Sequence, residues 1–480
     1  MYNKKTHVHF MGIGGIGMSG IAQILIHRGY KVSGCDTNMH QKSILDLQEL
    51  GCNISQNHAQ TSCFDPSINL LVYSSAIPKD HPEIIHARTK KITVIHRAVL
   101  LAELMRTKYS IAVAGSHGKT TTTALIGHIF THAKLAPTII VGGHMQIPDI
   151  KNSYDINPKK NNAQQGAGEL FIVETDESDR SLLQLNPTLA VLTNSDLEHL
   201  DTYQNLHDIT HTFELFLKKL PFYGKAVVCI DDPQIRSLLP LEHNQAITYG
   251  TRTLSPYATT YPDWSFENLV MQAESSDYTL MYQEKNLGPV HLSVPGEHNV
   301  LNSLAAIAIA HELEISLEII KQALSTFTGV DRRFTFKGKY KNTEIFDDYG
   351  HHPTEIRCTL KNALRRSPGK TTVLFQPHRY TRTEKLWQDF IHLFLDQPID
   401  KLLITDIYAA SESPIATISG QKLAQEIQKQ NPPFSVSYIP LDATLDTLAQ
   451  HVTHELQDEP GLLLIQGAGN ISKIALKLLE

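Results

Sequence analysis

The sequence predicts an α/β protein with largely parallel sheets, organised as three doubly wound domains. Three observations carry this. Short apolar runs alternate with helix-like stretches over most of the chain, two glycine-rich turns each follow such a run and open a helix, and 480 residues exceed what one core holds. A prior of about 150 residues per domain gives about three domains.

The first block opens with an apolar run at 7–11, a glycine turn and a helix over 18–28. Further strand-like runs follow at 30–34, 70–73 and 92–95, and an Ala- and Leu-rich helix over 98–105 ends the block. The second block starts with the run 109–113 and a second glycine turn, then continues through strands at 170–174, 189–193 and 226–230. The polar segment 144–168 reads as a long exposed loop. Polar and apolar residues alternate over 264–294, which predicts a few antiparallel strands appended to the sheet, before a helix over 300–311. The third block begins near residue 329, with strands at 372–375, 402–405 and 462–465 separated by helical segments. Expected boundaries are therefore 1–108, 109–328 and 329–480.

Composition narrows the function class. Hydrophobic residues make up 41% and charged residues 19%, ordinary values for a globular protein. The balance of 43 basic against 49 acidic residues gives a net charge of −6, no footprint for nucleic acid or an anionic membrane. The five cysteines, Cys35, Cys52, Cys63, Cys229 and Cys358, are scattered with no C-x-x-C pair, so neither a disulfide framework nor a zinc site is indicated. No apolar leader opens the chain and no run approaches the roughly 18 apolar residues of a membrane span, so a cytoplasmic protein is expected.

The chemistry concentrates at strand ends. Gly115, Ser116, His117, Gly118, Lys119, Thr120 and Thr121 follow the run 109–113 and start a helix. Glycines free backbone N–H groups, a lysine supplies phosphate charge and a threonine hydroxyl suits Mg²⁺, so this turn reads as a nucleoside triphosphate cradle. The common G-x-x-x-x-G-K-[ST] spacing is not met, because Val113 stands five before Gly118, and the loop is shorter. Gly12, Gly14, Gly15 and Gly17 follow the first strand, and Asp36 ends the second. Alone, this is a dinucleotide fingerprint that recognises a nucleoside diphosphate without specifying nicotinamide.

Glu174, Asp176, Glu177 and Asp179 crowd the end of the strand 170–173, and Asp196, Glu198, His199 and Asp201 follow the next one. Clustered carboxylates repel unless cations are present, and Mg²⁺ on phosphate oxygens supplies that charge. Near the C-terminal sheet, Asp347, Asp348, Tyr349, His351 and His352 precede a helix, while His378, Arg379 and Arg382 follow a strand. Two arginines three apart suit a substrate carboxylate, although a solvated basic turn has the same composition.

Together these segments resemble the ATP-dependent Mur ligases. The similarity covers nearly the whole chain, through 12–20, Ser74-Ser75-Ala76-Ile77, 115–122, 174–179, 298–302, Asp331-Arg332-Arg333-Phe334, 347–355 and 378–383. It implies a Rossmann-like N-terminal domain for a UDP-linked substrate, a central P-loop ATPase domain and a Rossmann-like C-terminal domain. It further implies ATP-dependent ligation of L-alanine to UDP-N-acetylmuramate, with ATP and Mg²⁺ required, in a monomer or weak homodimer. On the resemblance, Gly12 to Gly17, Asp36, Ser74 and Ser75 take the UDP-substrate. Lys119 contacts the phosphates, Thr120 and Glu174 hold one Mg²⁺ and His199 a second. Asn299 and Asn302 match an adenine-binding pair, Arg333 and Asp348 nucleotide-contacting positions, and His351 a residue near the reacting substrate. Tyr349, His378, Arg379 and Arg382 match the amino-acid pocket. Ser116, Thr175 and Ser411 depart from the residues usual in the family, without touching an expected charge. Two other enzyme readings stand beside this one: a ligase of the same fold that adds a tripeptide, and an NAD-dependent oxidoreductase using the first glycine loop. A non-catalytic UDP-sugar sensor is a third, disfavoured by intact Lys119, Glu174 and His199.

Overall fold

The structure is a computed structural model that describes all residues except 1–5, 57–64, 147–159, 200, 253–260, 411, 443, 457–459 and 480. Cys63 and Ser411 therefore lie outside the described residues, as does the middle of the segment expected as an exposed loop.

Three sheets form, one in each sequence block. The first has the order Asn53–Gln56, Lys31–Asp36, His7–Met11, Ile68–Tyr73, Thr93–His96, all parallel. Its central strand His7–Met11 is buried along its whole length, as a strand of a parallel sheet covered on both faces must be, and the polar His7 and His9 within it are buried too. The second sheet has ten strands, in the order Lys285–Leu292, Ser276–Tyr282, Trp264–Met271, Gln245–Tyr249, Lys225–Cys229, Leu189–Leu192, Tyr109–Ala114, Leu170–Glu174, Thr138–Gln146, Lys160–Gln164. Its middle strands are parallel, from Gln245–Tyr249 to Thr138–Gln146. The third runs Thr335–Tyr340, Thr343–Asp348, Gly461–Gln466, Lys370–Phe375, Lys401–Ile404, Ser435–Tyr438, parallel except for the first hairpin.

One expectation fails. Part of the segment 144–168 is not loop: Thr138–Gln146 extends the sheet and Lys160–Gln164 closes it as an antiparallel edge. The polar residues misled because they are buried as hydrogen-bonding groups. Asn162, 1% exposed, donates to Ile16 O at 2.6 Å and Ser19 Oγ at 3.1 Å on the helix Ile16–His27. Arg28 Nε donates to Gln165 Oε1 at 2.9 Å close by.

Compactness divides the chain in two. Residues 1–268, 278–292 and 299–328 form one unit, and 269–277, 293–298 and 329–480 the other. The first unit thus holds the first sequence block and most of the second, and one buried apolar cluster runs from Val8 and Phe10 to Phe216 and Val228. In the second unit, Phe375, Phe390 and Phe394 anchor one side of the sheet, and Leu374, Ile465 and Leu478 the other. No helix among the described residues is long and apolar enough to cross a membrane.

Candidate active site

The first glycine loop joins His7–Met11 to Ile16–His27. Gly12 has φ +75°, a backbone open to glycine at little cost. Its N–H bonds Cys35 O at 2.8 Å, and a Cβ there would lie 3.3 Å from Ser74 Oγ. Gly15 caps the helix without a side-chain hydrogen bond and no acid occupies the first turn, so the positive end of the helix is left for an anion. Asp36 is 6% exposed and accepts from Gly14 N at 2.8 Å and Asn38 N at 3.0 Å. It braces the loop it was expected to assist. Ser75 Oγ hydrogen-bonds Asp179, which links this loop's surroundings to the acidic segment.

The second loop joins Tyr109–Ala114 to the helix Lys119–His132. Gly115 has φ +128°, and a Cβ on it would sit 2.0 Å from Thr193 Oγ1. Gly118 caps the helix in the left-handed region. The loop is tied to the neighbouring strand end: Ser116 N donates to Asn194 O at 3.0 Å, His117 N to Asn194 Oδ1 at 2.8 Å, and Thr193 Oγ1 to His117 O at 2.6 Å. Thr193 and Asn194 were not singled out as site residues, although they stand directly after a strand beside an acidic cluster. Asn302 sits against this loop, with Oδ1 2.6 Å from where a Gly118 Cβ would be and accepting from Thr122 Oγ1 at 3.2 Å. Its amide reaches Asn299 Oδ1 at 3.4 Å.

Lys119 Nζ donates to Gly115 O at 2.6 Å, Ser116 O at 2.8 Å and Glu177 Oε1 at 2.8 Å. Glu177 also meets His199 Nε2 at 3.0 Å. Burial opposes charge on both members of the pair, yet Glu177 and Glu198 hold Lys119 above its ordinary value, and Lys119 and His199 hold Glu177 below the carboxylate range. Thr120 Oγ1 donates to Glu174 Oε1 at 2.9 Å, so the expected pair of metal ligands is in contact. Donor atoms of Glu177, Glu198 and His199 lie within 4.8 Å of one another. Glu177 Oε2 and Glu198 Oε1 are buried with no hydrogen-bond partner. Buried carboxylate oxygens left bare are costly unless a cation meets them, so this donor set fits a divalent ion. His199 has φ +52°, an uncommon backbone for a non-glycine residue and one that accumulates at functional sites. Glu177 and Glu198 stand inside the acidic clusters but were given no role. Arg97, whose NH2 donates to Asp176 Oδ2 at 2.5 Å, was missed entirely, since nothing near it in sequence marks its partner.

In the second unit the expected residues gather at the carboxyl ends of Thr343–Asp348 and Lys370–Phe375. Asp348, 4% exposed, accepts from Phe334 N and Gly350 N at 2.8 Å each, Thr359 Oγ1 at 3.0 Å and Gln466 Nε2 at 2.7 Å. Four donors occupy its oxygens, so this carboxylate organises the strand ends. Arg333 lies 5.4 Å over the Tyr349 ring and 3.4 Å from Glu355 Oε1. The His351 ring packs obliquely against that of His378, centroids 5.3 Å apart, and its Nδ1 donates to Tyr349 O at 3.1 Å. Burial, then the charge of Arg382, pushes His351 well below the usual imidazole value, and His378 is lowered to about 3 by burial and the Arg382 and Arg379 charges. Both rings are neutral at pH 7.

The two candidate arginines differ. Arg379, with φ +68°, pairs with Glu412 at 3.6 Å and is partly exposed. Arg382 is 8% exposed and its NH1 contacts His378 Nδ1 at 3.1 Å. Among the described residues no carboxylate lies within ion-pair distance of Arg382. A guanidinium buried without a carboxylate partner has donors of the geometry that suits one.

Three family models cover the chain: the Mur ligase family catalytic domain over residues 7–109, the Mur ligase middle domain over 113–310, and the Mur ligase glutamate ligase domain over 332–469. The UDP-N-acetylmuramate--L-alanine ligase of Solibacter usitatus is 43% identical over 481 residues, covering 100% of this chain and 96% of the relative. That of Desulfotalea psychrophila is 45% identical over 473 residues, covering 98% and 97%. Among solved structures, UDP-N-acetylmuramate-alanine ligase from Thermotoga maritima matches with a TM-score of 0.80 and 27% identity over 98% of each chain. A murein peptide ligase from Psychrobacter arcticus shares the fold, with a TM-score of 0.71 at 23% identity over 99% and 98%. With all three domain models in order, and relatives above 40% identity along its whole length, the chain belongs to the Mur ligase family.

Proposed function

We propose that this protein joins L-alanine to the lactyl carboxylate of UDP-N-acetylmuramate, using ATP, in peptidoglycan precursor synthesis. The observation that carries the phosphoryl-transfer half is Lys119, buried at the start of the helix behind the 115–118 loop and held by Glu177 beside the Thr120–Glu174 pair. The acceptor follows from relatives named for L-alanine at 40–45% identity over the full chain.

A carboxylate resists attack by an amine because its leaving group would be oxide. Transfer of the γ-phosphoryl group makes a bond from the lactyl carboxylate to phosphorus as the bond to ADP breaks. The alanine nitrogen then bonds the carbonyl carbon, inorganic phosphate leaves with the C–O bond, and the amine loses a proton. Lys119 and the N–H groups at the start of its helix hold the triphosphate, and Arg333 adds positive charge. Thr120 with Glu174, and Glu177 and Glu198 with His199, are the residues that would hold Mg²⁺, which when bound offsets phosphate charge. Arg382, with Arg379 beside it, grips the carboxylate of L-alanine so that its amine stays free. Neutral His351 is able to take a proton near the reacting group. By this reading residues 1–108 bind the UDP-substrate through Gly12, Gly14, Gly15, Gly17, Ser74 and Ser75, residues 109–328 bind ATP, and 329–480 bind the amino acid. A UDP-linked donor and ATP place the reaction in the cytoplasm.

Phosphate release from ATP, measured with UDP-N-acetylmuramate and L-alanine, glycine, L-serine or a tripeptide in turn, tests enzyme class and acceptor together. Turnover strongest with L-alanine is expected. Turnover with the tripeptide alone would reassign the acceptor, and nicotinamide absorbance changes without ATP use would overturn the ligase reading.

A further inference from the structure

Arg97 opens the helix Arg97–Met105 at the end of the strand Thr93–His96, and its guanidinium faces two ways. NH2 donates to Asp176 Oδ2 at 2.5 Å and lies 3.8 Å from Asp179 Oδ2. NH1 lies 3.0 Å from the position a Cβ on Gly17 would take, in the first turn behind the 12–15 loop. The side chain is only 15% exposed. A cation beside a helix N-terminus is repelled by the helix dipole. Asp176 and Asp179 offset that repulsion here, and an anion on the 12–17 turn would offset it further.

The Asp176 end leads directly to the phosphoryl-transfer machinery. Asp176 Oδ1 accepts from Ser178 N at 2.9 Å, and the residue between them is Glu177, which meets Lys119 and His199. Glu177 is fixed on its other side by Tyr203 OH, which donates to Glu177 O at 2.6 Å. Neighbouring contacts run the same way: Ser75 Oγ bonds Asp179, and His96 Nε2 lies 3.7 Å from it.

Resting on the proposed function, we infer that Arg97 is a positioning residue that couples the two nucleotide loops. A diphosphate at the 12–17 turn takes NH1 while NH2 keeps Asp176. The guanidinium is thereby immobilised, and with it the segment 174–179 that carries Glu174 and Glu177. Ordering paid at one loop then favours binding at the other, and linkage makes the effect reciprocal.

The test measures UDP-N-acetylmuramate affinity by calorimetry on the full chain, with and without a non-hydrolysable ATP analogue and Mg²⁺. Wild type should bind the UDP-substrate about fivefold or more tighter with the analogue present. Arg97→Ala should bring that ratio to about one, and Arg97→Lys should restore part of it. Asp176→Asn, which keeps an acceptor for Ser178 N–H, should leave UDP-substrate affinity alone near wild type while still losing the ratio. A folded Arg97→Ala protein that keeps the wild-type ratio overturns the coupling role, and so does an Asp176→Asn protein that keeps it. If wild type neither binds UDP-N-acetylmuramate nor releases phosphate with it, the proposed function fails instead.

Discussion

The glycine loop at 12–15 and the loop at 115–118 both follow a buried parallel strand and both open a helix, but only the second brings its own cation. At the first, Asp36 closes on Gly14 N, and the nearby guanidinium comes from Arg97, remote in sequence. At the second, Lys119 is the first helical residue and is neutralised by Glu177, with carboxylates and His199 alongside. A site that only holds a diphosphate needs N–H groups and a shared positive charge. One that transfers a phosphoryl group must manage charge that moves, and so carries a cation, counter-charges and donors for a metal. Glycine spacing alone does not separate the two; the charged neighbours do.

The sharpest way to break this division of labour is Lys119→Ala. Ligation should fall by roughly 10²–10³-fold or more in kcat, while UDP-N-acetylmuramate binding stays near wild type by calorimetry. Equal loss of UDP-substrate binding in a folded variant would show that the loops are not separate sites.

Adding one methyl group to each loop contrasts their backbones. At Gly115 it meets Thr193 Oγ1 at 2.0 Å in a backbone with φ +128°, so Gly115→Ala should cost about 2–4 kcal/mol in denaturant unfolding. Gly15 has φ −61° and nothing nearer than 3.6 Å, so Gly15→Ala should stay within about 0.5 kcal/mol.

The arginines extend the comparison to the second unit. Arg382→Ala should raise KM for L-alanine by on the order of tenfold or more, the loss of a charge-assisted contact of about 1.5–3 kcal/mol, with ATP and UDP-substrate KM nearly unchanged. Arg379→Ala should do less, because Arg379 is partly exposed and already faces Glu412. A larger effect at Arg379, or a raised ATP KM at Arg382, would reverse their roles.

Glu174→Gln and His199→Ala should each raise the Mg²⁺ concentration for half-maximal rate about tenfold, with part of the rate restored at high Mg²⁺. Titrations matching wild type would remove them as ligands. The smallest effect concerns pH. His378 is lowered to about 3 in the folded protein, so the unfolded chain takes up its proton first; the stability that goes with the neutral ring is full above about pH 6.5 and is lost as pH falls toward 3. Unfolding midpoints of His378→Gln between pH 7 and 4 should therefore fall less steeply than those of wild type.

Legibility followed how local each signal is. The 115–120 loop, the 12–17 loop and both acidic clusters were readable because strand, turn and helix start are adjacent in sequence and each residue type states its chemistry. Glu177 and Glu198 were visible as acids but not as the bare donors beside His199, since burial decides that. The amides of the segment Lys160–Gln164 suggest a solvated loop, whereas the Asn162 amide donates to Ile16 O and Ser19 Oγ on the helix Ile16–His27.

The sequence alone determined the α/β class, the two glycine turns between strand and helix, the acidic strand ends and the paired arginines, because hydrophobic period and turn chemistry act over a few residues. Tertiary structure decided the rest: that Asp36 and Asp348 brace backbone, that Arg382 is buried with no carboxylate among the described residues in ion-pair reach while Arg379 faces Glu412, and that Arg97 meets Asp176, 79 residues away. Charge and hydrogen-bond capacity belong to a residue type. Which partner uses them depends on distances and burial that arise only when remote strands share a sheet.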